Sequence, residues 1–107
     1  MANPWAGEVR LVLDGTAREL RLTLGALAEL ESELSGGETI LQLIDRFETG
    51  RFSTRDVLAL IVAGLRGGGW QGTAGDLIET EIEGGLLRCT EAAAQLLARA
   101  FAPATTA

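Results

Sequence analysis

The chain has 107 residues, which suits one domain with one modest core, and its hydrophobic fraction of 47% excludes a disordered chain. Its net charge is −6 and its nine basic residues are all scattered Arg, which argues against nucleic-acid binding, and no apolar run approaches the ~18 residues that span a bilayer. The single Cys89 has no internal disulfide partner and the Met-Ala-Asn-Pro-Trp start has neither the basic nor the apolar segment of a signal peptide, so a cytoplasmic location is expected.

Residues 1–7 form a short lead that holds Trp5. The first strand is expected over Glu8–Leu13, with a turn at Asp14-Gly15 between two alternating runs. A two-residue loop would set Leu11 opposite Arg18. A four-residue loop, Asp14 to Ala17, would set Leu11 opposite Leu20 and Val9 opposite Leu22. The second choice pairs apolar with apolar and is preferred on sequence. The second strand then runs from Arg18 to Thr23 or Leu24. A lone hairpin is marginal in water, so the helices that follow must cover its apolar face.

The hydrophobic period changes within residues 20–31. Leu20, Leu22 and Leu24 alternate, whereas Leu24, Leu27, Leu30 and Leu34 step by three and four. A strand therefore passes almost directly into a helix over about 24–34, capped by Thr23 and ended by Ser35-Gly36-Gly37. A second helix is expected over about 38–49, with Ile40, Leu41, Ile44 and Phe47 as its apolar stripe and Gly50 closing it. A third begins at the Ser53 cap, with Asp56 completing a capping box and Phe52 and Val57 in staple positions. It runs to about Arg66 and is apolar nearly all round, which marks the central buried helix.

Residues 67–72 read as a glycine-rich connector. Thr73 and Asp76 open a short helix to about Glu81, and Gly84-Gly85 break it. The last helix is expected over about 86–101, with Leu86, Cys89, Ala93, Leu96, Leu97, Ala100 and Phe101 as buried positions. Residues 102–107 are expected to be a frayed tail. The expected architecture is α+β: one domain over 1–107, with an N-terminal two-stranded antiparallel hairpin packed on four to five short helices.

Gly67, Gly69 and Gly72 fit the G-x-G-x-x-G spacing of a dinucleotide-binding turn. The Ser53/Asp56 cap makes the preceding segment a helix, and no second parallel strand follows, so a loop between helices is the better reading. Glu29, Glu31 and Glu33, like Glu79, Glu81 and Glu83, place carboxylates four apart on a helix face. With no His in the chain, carboxylate–histidine metal sites are excluded, and a solvated acidic face is expected. The serines have no His or Lys to activate them, and Cys89 lies in an apolar helical pattern suited to core packing. No catalytic, metal or cofactor site is expected. Trp5 and Trp70 each border an irregular segment and either lid the core or offer a contact surface. Arg46, Arg51 and Arg55 lie close together in sequence and suit either solvated charge or the grip of an acidic partner.

The stretch Leu-Arg-Leu-Thr-Leu-Gly-Ala-Leu-Ala-Glu-Leu-Glu at 20–31, after Leu-Asp-Gly at 13–15, resembles the gene-transfer-agent tail proteins of α-proteobacteria. These are also described as tail tube or tail assembly chaperone proteins of related prophages. Further matches follow in order: Arg46-Phe47 before Gly50-Arg51-Phe52-Ser53, Gly64-Leu65-Arg66-Gly67, Ile82-Glu83-Gly84-Gly85, and Leu96-Leu97 before Ala100-Phe101. The resemblance implies a cytoplasmic, non-enzymatic tail assembly chaperone that binds the tape-measure protein and helps recruit tail tube subunits, with room for a homo-oligomer. The alternative is a structural tail tube or connector subunit retained in the particle. One hairpin is less strand than a ring subunit usually needs, so the chaperone is the preferred expectation. The resemblance assigns no partner-binding position. Trp5, Trp70, Arg46, Arg51 and Arg55 stand as candidates on the residue reading alone.

Overall fold

Asp14 and Gly15 both adopt left-handed backbone, with φ of 49° and 78°. Two consecutive positive φ values make the tight turn whose twist matches that of its flanking strands. In this computed structural model, which describes residues 8–101, the turn joins β1 (Glu8–Leu13) to β2 (Thr16–Arg21). The strands pair antiparallel, with Val9 opposite Leu20, Leu11 opposite Arg18 and Leu13 opposite Thr16. The expected four-residue loop, with Leu11 opposite Leu20 and Val9 opposite Leu22, is thus corrected, and β2 starts and ends earlier than its pattern suggested.

Turn chemistry decides the register. Cross-strand apolar pairing does not, because α5 packs across β1 and supplies what β2 would otherwise have to offer. The slip is two residues, and a two-residue slip leaves every side chain on its original face. Val9, Leu11, Leu20 and Leu22 are accordingly all buried, and Leu13 joins them.

Five helices follow among the described residues: α1 (Leu24–Ser32), α2 (Ile40–Glu48), α3 (Thr54–Gly67), α4 (Ala74–Ile78) and α5 (Gly85–Ala100). A single 3₁₀ turn, Ser35–Gly37, lies between α1 and α2. The α+β architecture expected from the sequence is the one observed. Helix α3 is its axis, packing on β2, α1, α4 and α5. Its buried residues are Val57, Leu60, Ile61, Val62, Ala63, Gly64 and Leu65, almost its whole circumference. Leu20, Leu60, Leu65 and Leu96 are fully enclosed; truncating any one to Ala costs about 2–5 kcal/mol through lost transfer energy and the cavity left behind.

The helix starts follow their caps. The Thr23 hydroxyl accepts the Ala26 N–H at 3.0 Å. Ser53 with Asp56 and Thr73 with Asp76 form reciprocal capping boxes. A third box, Thr39 with Gln42, opens α2 and was not anticipated. Helix α4 stops at Ile78, short of the expected Glu81, because the chain is needed elsewhere. The Asp14 N–H donates to the Glu81 carbonyl at 2.8 Å and the Glu83 N–H donates to the Val12 carbonyl at 3.0 Å. Ile82 thereby bridges Leu13 on the outer edge of β1.

Leu30, Ile40, Cys89, Ala93, Leu96 and Leu97 are buried as expected, but four residues expected on buried faces are exposed. Leu24 is 87% exposed, and α1 buries Ala26 and Leu30. Leu24 is the first residue of its helix, and a helical side chain leans toward the N-terminus, here past the end of the core. Helix α2 buries Ile40 and Leu43, and leaves Leu41 70% exposed. Helix α5 buries Cys89, Ala92, Ala93, Leu96 and Leu97, while Leu86 and Phe101 at its ends are 55% and 43% exposed.

Candidate protein interface

Arg46 is the most heavily engaged polar side chain among the described residues. It comes from the last turn of α2 and reaches in two directions. Its Nε and Nη2 donate to the two carboxylate oxygens of Glu38, each at 2.7 Å. Its Nη1 and Nη2 donate to Asp56 at 2.6 and 3.0 Å, and Nη1 also donates to the Arg51 carbonyl at 3.1 Å. Asp56 accepts as well from the Ser53 N–H at 2.8 Å. The Arg46 guanidinium, then the Ser53 donors, hold the Asp56 carboxyl down at about 2 against the opposing effect of burial. Glu38 is lowered by the same guanidinium, and Arg46 itself is raised by its two carboxylates. The geometry is a doubly bidentate clamp that joins the approach to α2, its last turn and the start of α3.

This clamp matters because α2 takes no part in the close element pairings, which are β1 with β2, α3 with β2, α1, α5 and α4, and α5 with both strands. Buried Leu43 and Ile40 anchor it to the core, and Arg46 fixes its far end. Its C-terminus is closed at Gly50, where φ is 75° and the Arg51 N–H donates back to the Arg46 carbonyl at 2.7 Å.

The other sequence candidates are dispersed. Arg51 turns to Asp45 at 3.3 Å and to the Thr49 hydroxyl at 3.1 Å. Arg55 lies exposed in the first turn of α3, outside the clamp. Trp70 is half-buried against the core just beyond α3. Trp5 lies outside the described residues.

The glycine-rich stretch is a helix terminus. The Trp70 N–H donates to the Leu65 carbonyl at 2.9 Å and the Gly69 N–H to the Arg66 carbonyl at 3.0 Å, with Gly69 at φ 103°. That is a Schellman ending to α3. A Cβ on Gly67 would fall onto the Arg21 carbonyl oxygen, and one on Gly68 onto that of Glu19. These glycines let the end of α3 approach the backbone of β2.

The acidic runs are divided in the same way. Glu29 pairs with Arg66 at 3.2 Å, and Glu31 accepts the Ile40 N–H at 2.9 Å. Glu79 is the C-cap of α4, and Glu81 and Glu83 lie beside β1, so no helical face unites that trio. Among the described residues no group of three acidic or Cys side chains gathers to hold a metal ion, and no helix is long and apolar enough to cross a membrane. Burial pushes the Cys89 thiol up, away from reactivity.

Two of the surface grooves are mainly apolar. One groove of 680 Å³ lies along α3 and α4, floored by Leu58, Ala59, Val62 and Ile78 and rimmed by Glu33, Arg55 and Arg66. A second, of 590 Å³, separates α2 from α5. Ile44 and Phe47 form one wall; Ala94, Leu97, Ala98 and Phe101 form the other. Phe47 is held from behind by Phe52, with ring centroids 4.5 Å apart and planes at 56°. The sequence reading missed this groove. Its signal was the spacing 94, 97, 98 and 101 on α5, one face with two alanines in it.

Compared with known proteins, residues 6–103 match the family model described as phage tail tube protein, GTA-gp10. No curated protein and no solved structure matches the chain.

Proposed function

The chain belongs to the GTA-gp10 family of phage tail tube proteins, and from that premise we propose that it serves without catalysis as a tail tube component of a gene transfer agent or related phage-like particle. The observation that carries this reading is the family match across 6–103, which includes the hairpin and all five helices. The residue inventory agrees with it. A chain without His, Lys or Tyr has few groups for acid–base or nucleophilic work. Its partners are other tail proteins, met during assembly in the cytoplasm of the producing cell.

A second reading is favoured by one structural observation. The only sheet among the described residues has two strands, and its edges are occupied. Residues 81–83 and the Arg88 side chain, which donates to the Arg10 carbonyl at 2.6 Å, cover β1. The end of α3 covers β2. Little open ladder is left for building a ring by strand pairing. That suits a tail assembly chaperone, one that binds the tape-measure protein and helps recruit tube subunits. Quantitative mass spectrometry of purified particles tests the choice. A tube component is present in fixed ratio to the other tail proteins. Absence from the particle, together with improved solubility of co-expressed tape-measure protein, sinks the tube reading in favour of the chaperone.

A further inference from the structure

We propose that residues 38–51, with α2 at their centre, form a strap that detaches from the core while the rest of the fold stays intact, and that the Arg46–Asp56 ion pair is its latch. The device is the same for either role of the chain in a tail, so it stands or falls separately from that reading.

The polar bonds of the segment are the first ground, because most of them close within it. Glu38 pairs with Arg46, Thr39 and Gln42 cap each other, Asp45 pairs with Arg51, and the Arg51 N–H donates to the Arg46 carbonyl. Among the described residues, two groups of the strap hydrogen-bond to the rest of the chain. The Arg46 guanidinium donates to Asp56 at 2.6 and 3.0 Å, and the Ile40 N–H donates to a Glu31 carboxylate oxygen at 2.9 Å.

Packing is the second ground. Helix α2 stands outside the close element pairings, buries only Ile40 and Leu43, and is held off α5 by the 590 Å³ groove. Helix α3, by contrast, is buried almost all round. A segment with few buried apolar contacts opens at a lower free energy than the core it lies on.

The joints are the third ground. Gly36 and Gly37, at φ 65° and 73°, precede the strap, and residues 52–53, in neither helix nor strand, follow it. The Phe47 ring rests on Phe52, which is itself in the second joint. The Ser53/Asp56 box lies beyond that joint, so α3 keeps its cap when the strap leaves. Detachment uncovers Ile40 and Leu43 and removes the wall that faces Leu97 and Phe101 on α5.

The test is amide hydrogen exchange of the full chain, read by NMR across low urea concentrations at which the chain stays folded. Nine residues are too few to stay helical alone in water, so detachment exposes the α2 amides. Those of residues 43–47 should exchange at least about 100-fold faster than the slowest amides of α3, at rates nearly independent of urea, because the opening exposes little surface. Leu20→Val, a core change outside the strap, should speed the α3 amides several-fold and leave those of α2 within about twofold. Arg46→Ala should speed the α2 amides at least about tenfold, and Arg46→Lys by less. The proposal is overturned if α2 and α3 exchange through one common opening, or if Leu20→Val speeds both alike. It is equally overturned if Arg46→Ala leaves α2 exchange unchanged, since the latch is then not there.

Discussion

Arg46 donates to both carboxylate oxygens of Asp56, at 2.6 and 3.0 Å, while Asp56 caps α3 through the Ser53 N–H. One carboxylate thus starts α3 and holds the end of α2. Arg46→Ala leaves Asp56 and Glu38 without their cation, and the expected loss is about 2 kcal/mol in urea unfolding. Arg46→Lys recovers less than half of it, since one ammonium cannot reproduce two forks. Asp56→Asn keeps an oxygen for the cap and removes the ion pair; Asp56→Ala removes both and should cost about 1 kcal/mol more. Equal losses for Asn and Ala would show that the cap contributes nothing.

The same pair sets an acid limb to stability. The Asp56 carboxyl titrates at about 2 in the folded chain and near 3.8 when unfolded. Between those values the unfolded state binds more protons, so stability rises with pH. The contribution is complete above about pH 4 and is lost as pH falls through about 2, on the order of 1–2 kcal/mol after solvent screening. Glu38, lowered by the same cation, adds in the same direction. Chemical denaturation from pH 6 to pH 2 should show this fall, and Arg46→Ala should flatten it. An unchanged slope in that variant would remove Arg46 as its cause.

Cys89 lies 3% exposed in α5 and burial raises its thiol. A thiol that is both shielded and protonated reacts only when the structure opens. Reaction with a disulfide reagent at pH 8 should therefore be slow in the native chain and accelerate with mild denaturant in step with unfolding. Fast labelling without denaturant would place Cys89 on a mobile surface instead.

Much of the architecture was legible because local signals agreed. Ser53/Asp56 and Thr73/Asp76 mark helix starts by chemistry that needs no tertiary context, and the full apolar girth of α3 announces its central place. The hairpin register was not legible from apolar pairing, because β1 packs on α5, far along the chain. The left-handed pair Asp14-Gly15 carried the answer, and the two-residue slip hid the error by preserving the faces. Leu24 and Leu86 misled because each matches the helical period yet sits at an N-terminal end, and Leu41 because α2 turns its Ile40–Leu43 side to the core. The α2–α5 groove was obscured for a related reason: its defining residues are alanines, whose meaning lies in the space they leave. Arg46 stood out in the sequence only as one of three neighbouring cations; its pairing with Glu38 and Asp56 depends on a fold in which α2 doubles back toward α3.

The glycines of α3 offer the sharpest separation between a phosphate-binding loop and a packing contact. A Cβ at Gly67 or Gly68 meets the backbone of β2, which cannot rotate away as a side chain would. Alanine normally improves a helix by up to about 1 kcal/mol over glycine, so a packing role predicts the opposite sign here. Gly67→Ala should destabilise by at least about 2 kcal/mol, because the end of α3 or the strand must move. Gly25→Ala in α1 is the matched control. There the new methyl meets only the Thr23 hydroxyl at 3.9 Å, an ordinary contact, and a gain of about 0.5–1 kcal/mol is expected. Were the stretch a cradle for phosphate, Gly67→Ala would leave unfolding of the ligand-free chain unchanged or slightly improved. Opposite signs at Gly25 and Gly67 in the same thermal melt would assign these glycines to the junction of α3 with β2.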